Sequence, residues 1–139
     1  MQIPVKRNST DKARLAEALR GFAATEHPVT VDLNGYGAFP PRVIFIKIIQ
    51  PGPVMELHSR LKKVLLEELH FDQDEVMKTV QPHMTVATRD LTKASFSEAW
   101  AEFEEKEFSA SFDVGSIFLL KHNGRSWDIF EEFPFRENG

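Results

Sequence analysis

Apolar and polar positions alternate along the chain with two different periods, and the change of period marks the elements. In "STDKARLAEALRGFAATE", Leu15, Ala18, Leu19 and Phe22 fall on one face at helical spacing, with Ser9 or Thr10 placed to cap the first turn. "VTVDLNGYGAF" then alternates, with Val29, Val31 and Leu33 on one side, as a strand does. The turn "FPPR" leads into "VIFIKII", an apolar run of strand length. "PGPVMELHSRLKKVLLEELHF" returns to helical spacing, with Val54, Leu57, Leu61 and Leu65 as its stripe and Pro53 tolerated in the first turn. An acidic loop, "DQDEVMK", precedes the strand-like "PHMTVATRDL". A third helix is predicted from about Thr92, followed by a long strand pair, "FSASFDVGSIFLLKHNGRSWDIFEEFPF". Its turn carries Asn123-Gly124, a pair suited to a type I′ hairpin.

The pattern repeats. A shift of 81 residues carries Lys12, Ala13, Glu17, Ala18, Phe22, Glu26 and Asp32 onto Lys93, Ala94, Glu98, Ala99, Phe103, Glu107 and Asp113 without a gap. The core-facing set follows, with Leu15, Leu19 and Val31 meeting Phe96, Trp100 and Phe112. The chain therefore reads as a single domain over 1–139. A first repeat covers about 1–50, a connecting helix about 53–70, and a second repeat about 80–135. Each repeat would hold a strand, a helix and a β-hairpin, the first having lost its opening strand.

Composition narrows the classes. At 139 residues there is room for one core, and 42% apolar with 27% charged residues is ordinary for a soluble domain. The net charge of −4 argues against a broad basic surface that coats nucleic acid, though not against a small cationic pocket for one phosphate. Cysteine is absent, which removes disulfides, thiol nucleophiles and Cys-type zinc sites and fits a reducing cytoplasm. "MQIPVKRNSTDKAR" has no apolar signal region, and "VIFIKII" is too short to span a bilayer, so no membrane is expected.

Candidate chemistry centres on His83 and Thr85. On a strand, residues two apart share a face, so these two project together while Met84 and Val86 point away, into the helices. Imidazole moves a proton near neutral pH, and a neighbouring hydroxyl can bond a phosphoryl oxygen. In-line displacement at phosphorus needs a base for the attacking oxygen and an acid for the leaving one. His-x-Thr supplies half of such a site.

"PHMTVATRDL", the repeated helix and hairpin, and the ending "FLLKHNGRSWDIFEEFPF" together resemble the 2H phosphoesterase superfamily, in particular its 2′-5′ RNA ligase-like branch. "GYGAFPPRVIFIKI" is similar to the hairpin of that family's first lobe. The resemblance implies an α+β fold of two pseudo-symmetric lobes, each an antiparallel sheet with helices outside, the first lobe here incomplete. Each lobe would send one His-x-Thr/Ser strand to a central cleft. It implies action on 2′,3′-cyclic or 2′-5′ phosphodiesters of RNA or nucleotides with no metal and no cofactor. His83 would be one of two acid–base histidines and Thr85 one of two phosphate-binding hydroxyls. An RNA end or cyclic nucleotide is the implied partner, and phosphate or sulfate would suit the cleft.

One half of the family pattern is missing. The shift of 81 residues sets Gln2 and Pro4 where the first His and Thr would stand, and neither can do their work. The expectation is that the first motif lies upstream of Met1, the alternative being a first lobe degenerate at Gln2 and Pro4. A first-lobe sheet lacking that strand would offer an unpaired edge to a second copy of the chain. A non-catalytic module that holds a phosphate or RNA end is the alternative to an enzyme.

Three basic residues are secondary candidates for substrate binding: Arg89 just beyond the motif, Lys47 within the apolar run, and Arg42 at its start. Each also has a plain reading, Arg89 as a solvated strand end, Lys47 as a snorkelling edge residue and Arg42 as a surface charge. His58 lies beside the apolar stripe of the second helix and reads as structural. His27, His70 and His122 sit at element ends, and no histidine pair shows metal-ligand spacing. Asp72, Asp74 and Glu75 lack the glycine and terminal Glu of a calcium loop and read as a solvated loop.

Overall fold

A computed structural model describes residues 12–73, 76 and 82–137. Its elements, in chain order, are α1 (Lys12–Thr25), β1 (Val29–Phe39), β2 (Val43–Ile49), α2 (Gly52–Glu67), β3 (His83–Ala87), α3 (Lys93–Phe103), β4 (Ser109–Val114), β5 (Ser116–His122) and β6 (Trp127–Pro134). The described fold is α+β, three helices with a four-stranded sheet ordered β3-β2-β1-β4 and a two-stranded sheet of β5 and β6. The larger sheet mixes strands from 1–50 with strands from 80–135. The expected caps Ser9 and Thr10, and the motif counterparts Gln2 and Pro4, lie outside the described residues.

Helix limits follow local chemistry. Thr92 caps α3, its hydroxyl accepting from the Ser95 amide at 3.2 Å while the Thr92 amide donates to Ser95 Oγ at 2.8 Å. Helix α2 ends at Glu67 rather than running to Phe71. His70 takes a positive φ of 55°, the Phe71 amide donates back to the Leu65 carbonyl at 3.0 Å, and the Phe71 ring returns to the core.

The long strand pair expected after α3 is broken in two. Gly115 separates β4 from β5; among the described strands, β4 lies at the edge of the larger sheet and β5 pairs only with β6. That edge position leaves Phe112 42% exposed, whereas its repeat partner Val31 is buried. The β5–β6 turn is not a two-residue type I′ turn. Four residues, 123–126, close it, with Gly124 at positive φ and the Asn123 side-chain oxygen accepting from the Arg125 and Ser126 amides at 2.8 and 2.9 Å. Asn123 spends its side chain on those amides instead of adopting the left-handed backbone that a type I′ turn requires.

Two compact units emerge, each with its own packing. Of the described residues, one unit takes 30–55 and 82–112, the other 12–29, 56–73 with Val76, and 113–137. In the second, Leu15, Leu19 and Phe22 of α1 pack with Leu57 and Leu65 of α2 and with Phe133 and Phe135. Glu26 is buried there and held by Arg60, whose Nε and Nη2 each donate to a carboxylate oxygen at 2.8 Å. Pairing of this kind is what makes a buried carboxylate tolerable. In the first unit, Ile44 and Ile46 of β2 and Phe96 of α3 are buried, and Tyr36 of β1 meets Phe103 of α3 edge-on at 5.1 Å. Those contacts assign one face of the larger sheet to α3 and leave its opposite face for other work.

Candidate active site

Strand β3 lies antiparallel to β2, with Lys47 opposite His83, Phe45 opposite Thr85 and Ile46 opposite Met84. Directly paired residues point to the same side of a sheet, so His83, Thr85, Lys47 and Phe45 share one face. On β1, Gly37 pairs with Phe45 and Phe39 with Val43, which adds Gly37 and Phe39 to that face. It is the face away from Ile44, Ile46 and α3.

Glycine on β1 makes the face what it is. A Cβ at Gly37 would lie 2.6 Å from two Phe45 ring atoms, so the Phe45 ring occupies the space a side chain would need. Gly35 sits in the irregularity between Leu33 and Tyr36, with φ +71° and its amide donating to the Phe108 carbonyl at 2.8 Å. Lys47 runs along this bare strip, Nζ 3.6 Å from where a Gly35 Cβ would be. His83 is then flanked by rings. Phe39 meets it edge-on at 5.1 Å, Phe45 is tilted at 5.2 Å, and Phe39 and Phe45 are 4.6 Å apart. His83 is half-buried by this packing while Thr85 stays exposed. The arrangement gives an imidazole with restricted orientation, a solvent-facing hydroxyl and an ammonium, which is chemistry suited to a phosphate ester.

Of the other basic candidates, Arg42 closes the turn after β1, its amide donating to the Phe39 carbonyl at 3.2 Å, and Arg89 follows β3. The β2–β3 ladder ends where Ile44 pairs with Ala87, and Arg42 and Arg89 both lie beyond that pair. The register shifts between Ile44 and Phe45, inserting Val86 and resetting the alternation, so period two from Thr85 does not carry to Arg89. Arg89 and Asp90 form an exposed turn after β3. Met84 and Val86 do not bury against helices as expected. At the edge of the sheet as the described strands form it, they remain 40% and 48% exposed.

His58 is buried in α2, and burial, reinforced by Lys62, pushes its imidazole below the ordinary histidine value. It is structural. His122 ends β5, its Nδ1 accepting from the Gly124 amide at 3.1 Å and its ring edge-on to Trp127 at 5.0 Å. Among the described residues, no three His, Cys, Asp or Glu side chains gather as a metal site would. None of the described helices is long and apolar enough to cross a membrane.

Sequence reading missed Phe39, Phe45 and Gly37. The available signal was the spacing of two glycines, Gly35 and Gly37, on a strand whose hairpin partner carries a phenylalanine; glycine within a strand often marks a close approach.

Comparison with known proteins gives the family and the fold. The family model for the 2′-5′ RNA ligase superfamily matches residues 3–126. Among solved structures, the crystal structure of TT0787 of Thermus thermophilus is similar over 96% of this chain and 75% of its own, with a TM-score of 0.56. The two are 20% identical, a level at which the likeness shows a shared fold. No curated protein matches the chain.

Proposed function

Given that the chain belongs to the 2′-5′ RNA ligase superfamily, we propose that it is a metal-independent phosphodiesterase for 2′,3′-cyclic or 2′-5′ linkages of RNA or nucleotides. One observation carries the proposal: His83 and Thr85 project from β3 onto the same face as Lys47, with Lys47 directly opposite His83. In this reading Thr85 Oγ1 donates to a non-bridging phosphoryl oxygen and the Lys47 ammonium offsets the charge that builds on phosphorus. His83 moves one proton, either taking it from the attacking water or giving it to the ribose oxygen as the phosphorus–oxygen bond breaks. For a 2′,3′-cyclic substrate the balance is one water consumed and one phosphomonoester with a free neighbouring hydroxyl produced. A 2′ oxygen at the reacting centre selects ribose over deoxyribose.

A second reading has its own support. The sequence holds a single His-x-Thr, and one imidazole fills one of the two proton-transfer roles. A half-site of this kind would hold a phosphate or RNA end without turning it over. Phosphorus NMR of a 2′,3′-cyclic nucleotide mixed with the protein, recorded beside proton–nitrogen and proton–carbon spectra of the labelled protein, separates the two. Growth of a phosphomonoester signal is the result expected of the enzyme. Perturbed His83 and Thr85 resonances without product would replace it by the binding module, and silence in both would remove both.

A further inference from the structure

We propose that Phe39 is a stacking platform for the nucleobase of the nucleotide whose phosphate meets His83 and Thr85. The inference rests on the phosphodiester reading of the same face and adds to it what lies beside the phosphate. Phe39 is 43% exposed, yet it is not a loose surface ring. It leans on Phe45 with centroids 4.6 Å apart and an interplanar angle of 33°, and its edge contact with His83 is near perpendicular at 85°. One side of the ring is thus fixed against the catalytic imidazole while much of the rest faces solvent. A planar ring added to that surface buries apolar area at little further entropic cost, because Phe45 and His83 already hold the ring.

Position favours a base as the occupant. The Phe39 centroid lies 5.1 Å from the His83 imidazole, so a group stacked on it sits within one nucleotide's reach of a phosphate at His83. The neighbours on this face near Phe39 are Gly37, Val43 and Phe45, which offer no side-chain hydrogen bonds to a base edge. Recognition would therefore be by π-face alone, tolerant of base identity and favouring the larger purines. Lys47 lies opposite His83, on β2, while Phe39 lies at the other end of the face, where it closes a turn with Arg42, whose amide donates to the Phe39 carbonyl at 3.2 Å. The phosphate and base of one nucleotide would thus meet different chemistry along one strip of sheet.

The test compares two ligands by NMR titration: adenosine 3′-monophosphate, and 1-O-methylribose 3-phosphate, which replaces the base with a methoxy group. The nucleotide should bind about tenfold more tightly, the order expected of one base–aromatic stack. It should also move the Phe39 ring signals, which the baseless ligand leaves in place. In Phe39→Ala the affinity ratio should fall towards one, and in Phe39→Trp, which restores a ring if truncation disturbs the strand, it should recover. Equal affinities in the unsubstituted protein, or a ratio indifferent to both substitutions, would overturn the platform and leave the phosphodiester reading standing. If neither ligand perturbs His83 or Thr85, the phosphodiester reading itself fails and the platform with it. Phe39 signals that respond to protein concentration and not to nucleotide would assign the patch to a second copy of the chain and overturn the proposal as well.

Discussion

Gly37 is the residue on which the geometry around His83 turns, although it carries no functional group. Its missing side chain is filled by the Phe45 ring, and that ring is one of the two that flank the imidazole. Gly37→Ala places a methyl 2.6 Å from two Phe45 ring atoms, which must move, and Phe45 is packed on both Phe39 and His83. Overpacking of this kind costs about 1–3 kcal/mol where a neighbour must shift. Gly37 is therefore a positioning residue. The variant is expected to fold, to shift the His83 ring-proton resonances through the altered ring current, and to lose about tenfold in kcat with a smaller change in KM, as misplacement of a catalytic group does. Unchanged His83 resonances together with unchanged kcat would show that Phe45 does not position the imidazole.

At the scale of elements, α2 carries a histidine whose burial writes a pH dependence into stability. His58 lies beside the stripe that packs Leu57 and Leu65 into the core, and burial holds its folded-state pKa below the value of the unfolded chain. The sign follows from linkage. As pH falls through the unfolded value of about 6.5, the unfolded chain takes up a proton that the folded chain refuses, so stability is full above that pH and declines below it until the folded value is passed. Urea denaturation at about pH 7.5 and about pH 5, bracketing that value, should show the parent losing more stability than His58→Leu. A parallel loss in both proteins would place the titration elsewhere.

The elements themselves were largely legible in the sequence because their periods are local. The α1 face, the β1 alternation and the start of α3 near Thr92 each depend on residues within a turn or two. What sequence did not show are features set by distant strands. The bulge at Val86 is visible only once β3 is paired with β2, whose residues are nearly forty positions away, and Arg89 falls in the turn beyond the end of that ladder. The division at Gly115 likewise reflects two different sheets competing for one apolar run. Lys47 was visible as a charge inside a hydrophobic strand; only the β2–β3 register sets it opposite His83. Phe39 and Phe45 looked like ordinary core rings because nothing local distinguishes a ring that packs on a histidine from one that packs on a leucine.

For the whole molecule, the account joins family membership, an α+β fold and one polar face on the larger sheet. A net charge of −4 argues against bulk attraction of nucleic acid, so the proposed function assigns recognition of a phosphodiester to a few side chains on that face. The central claim is that His83 transfers a proton at phosphorus without help from a metal ion. The most direct test is the initial rate of 2′,3′-cyclic nucleotide hydrolysis in excess EDTA, measured for the parent and for His83→Ala at matched fold content. The account predicts turnover that the chelator leaves intact and that the substitution lowers by about two to four orders of magnitude, the usual range for a lost general acid or base. A rate abolished by EDTA, or one that survives His83→Ala, would contradict it.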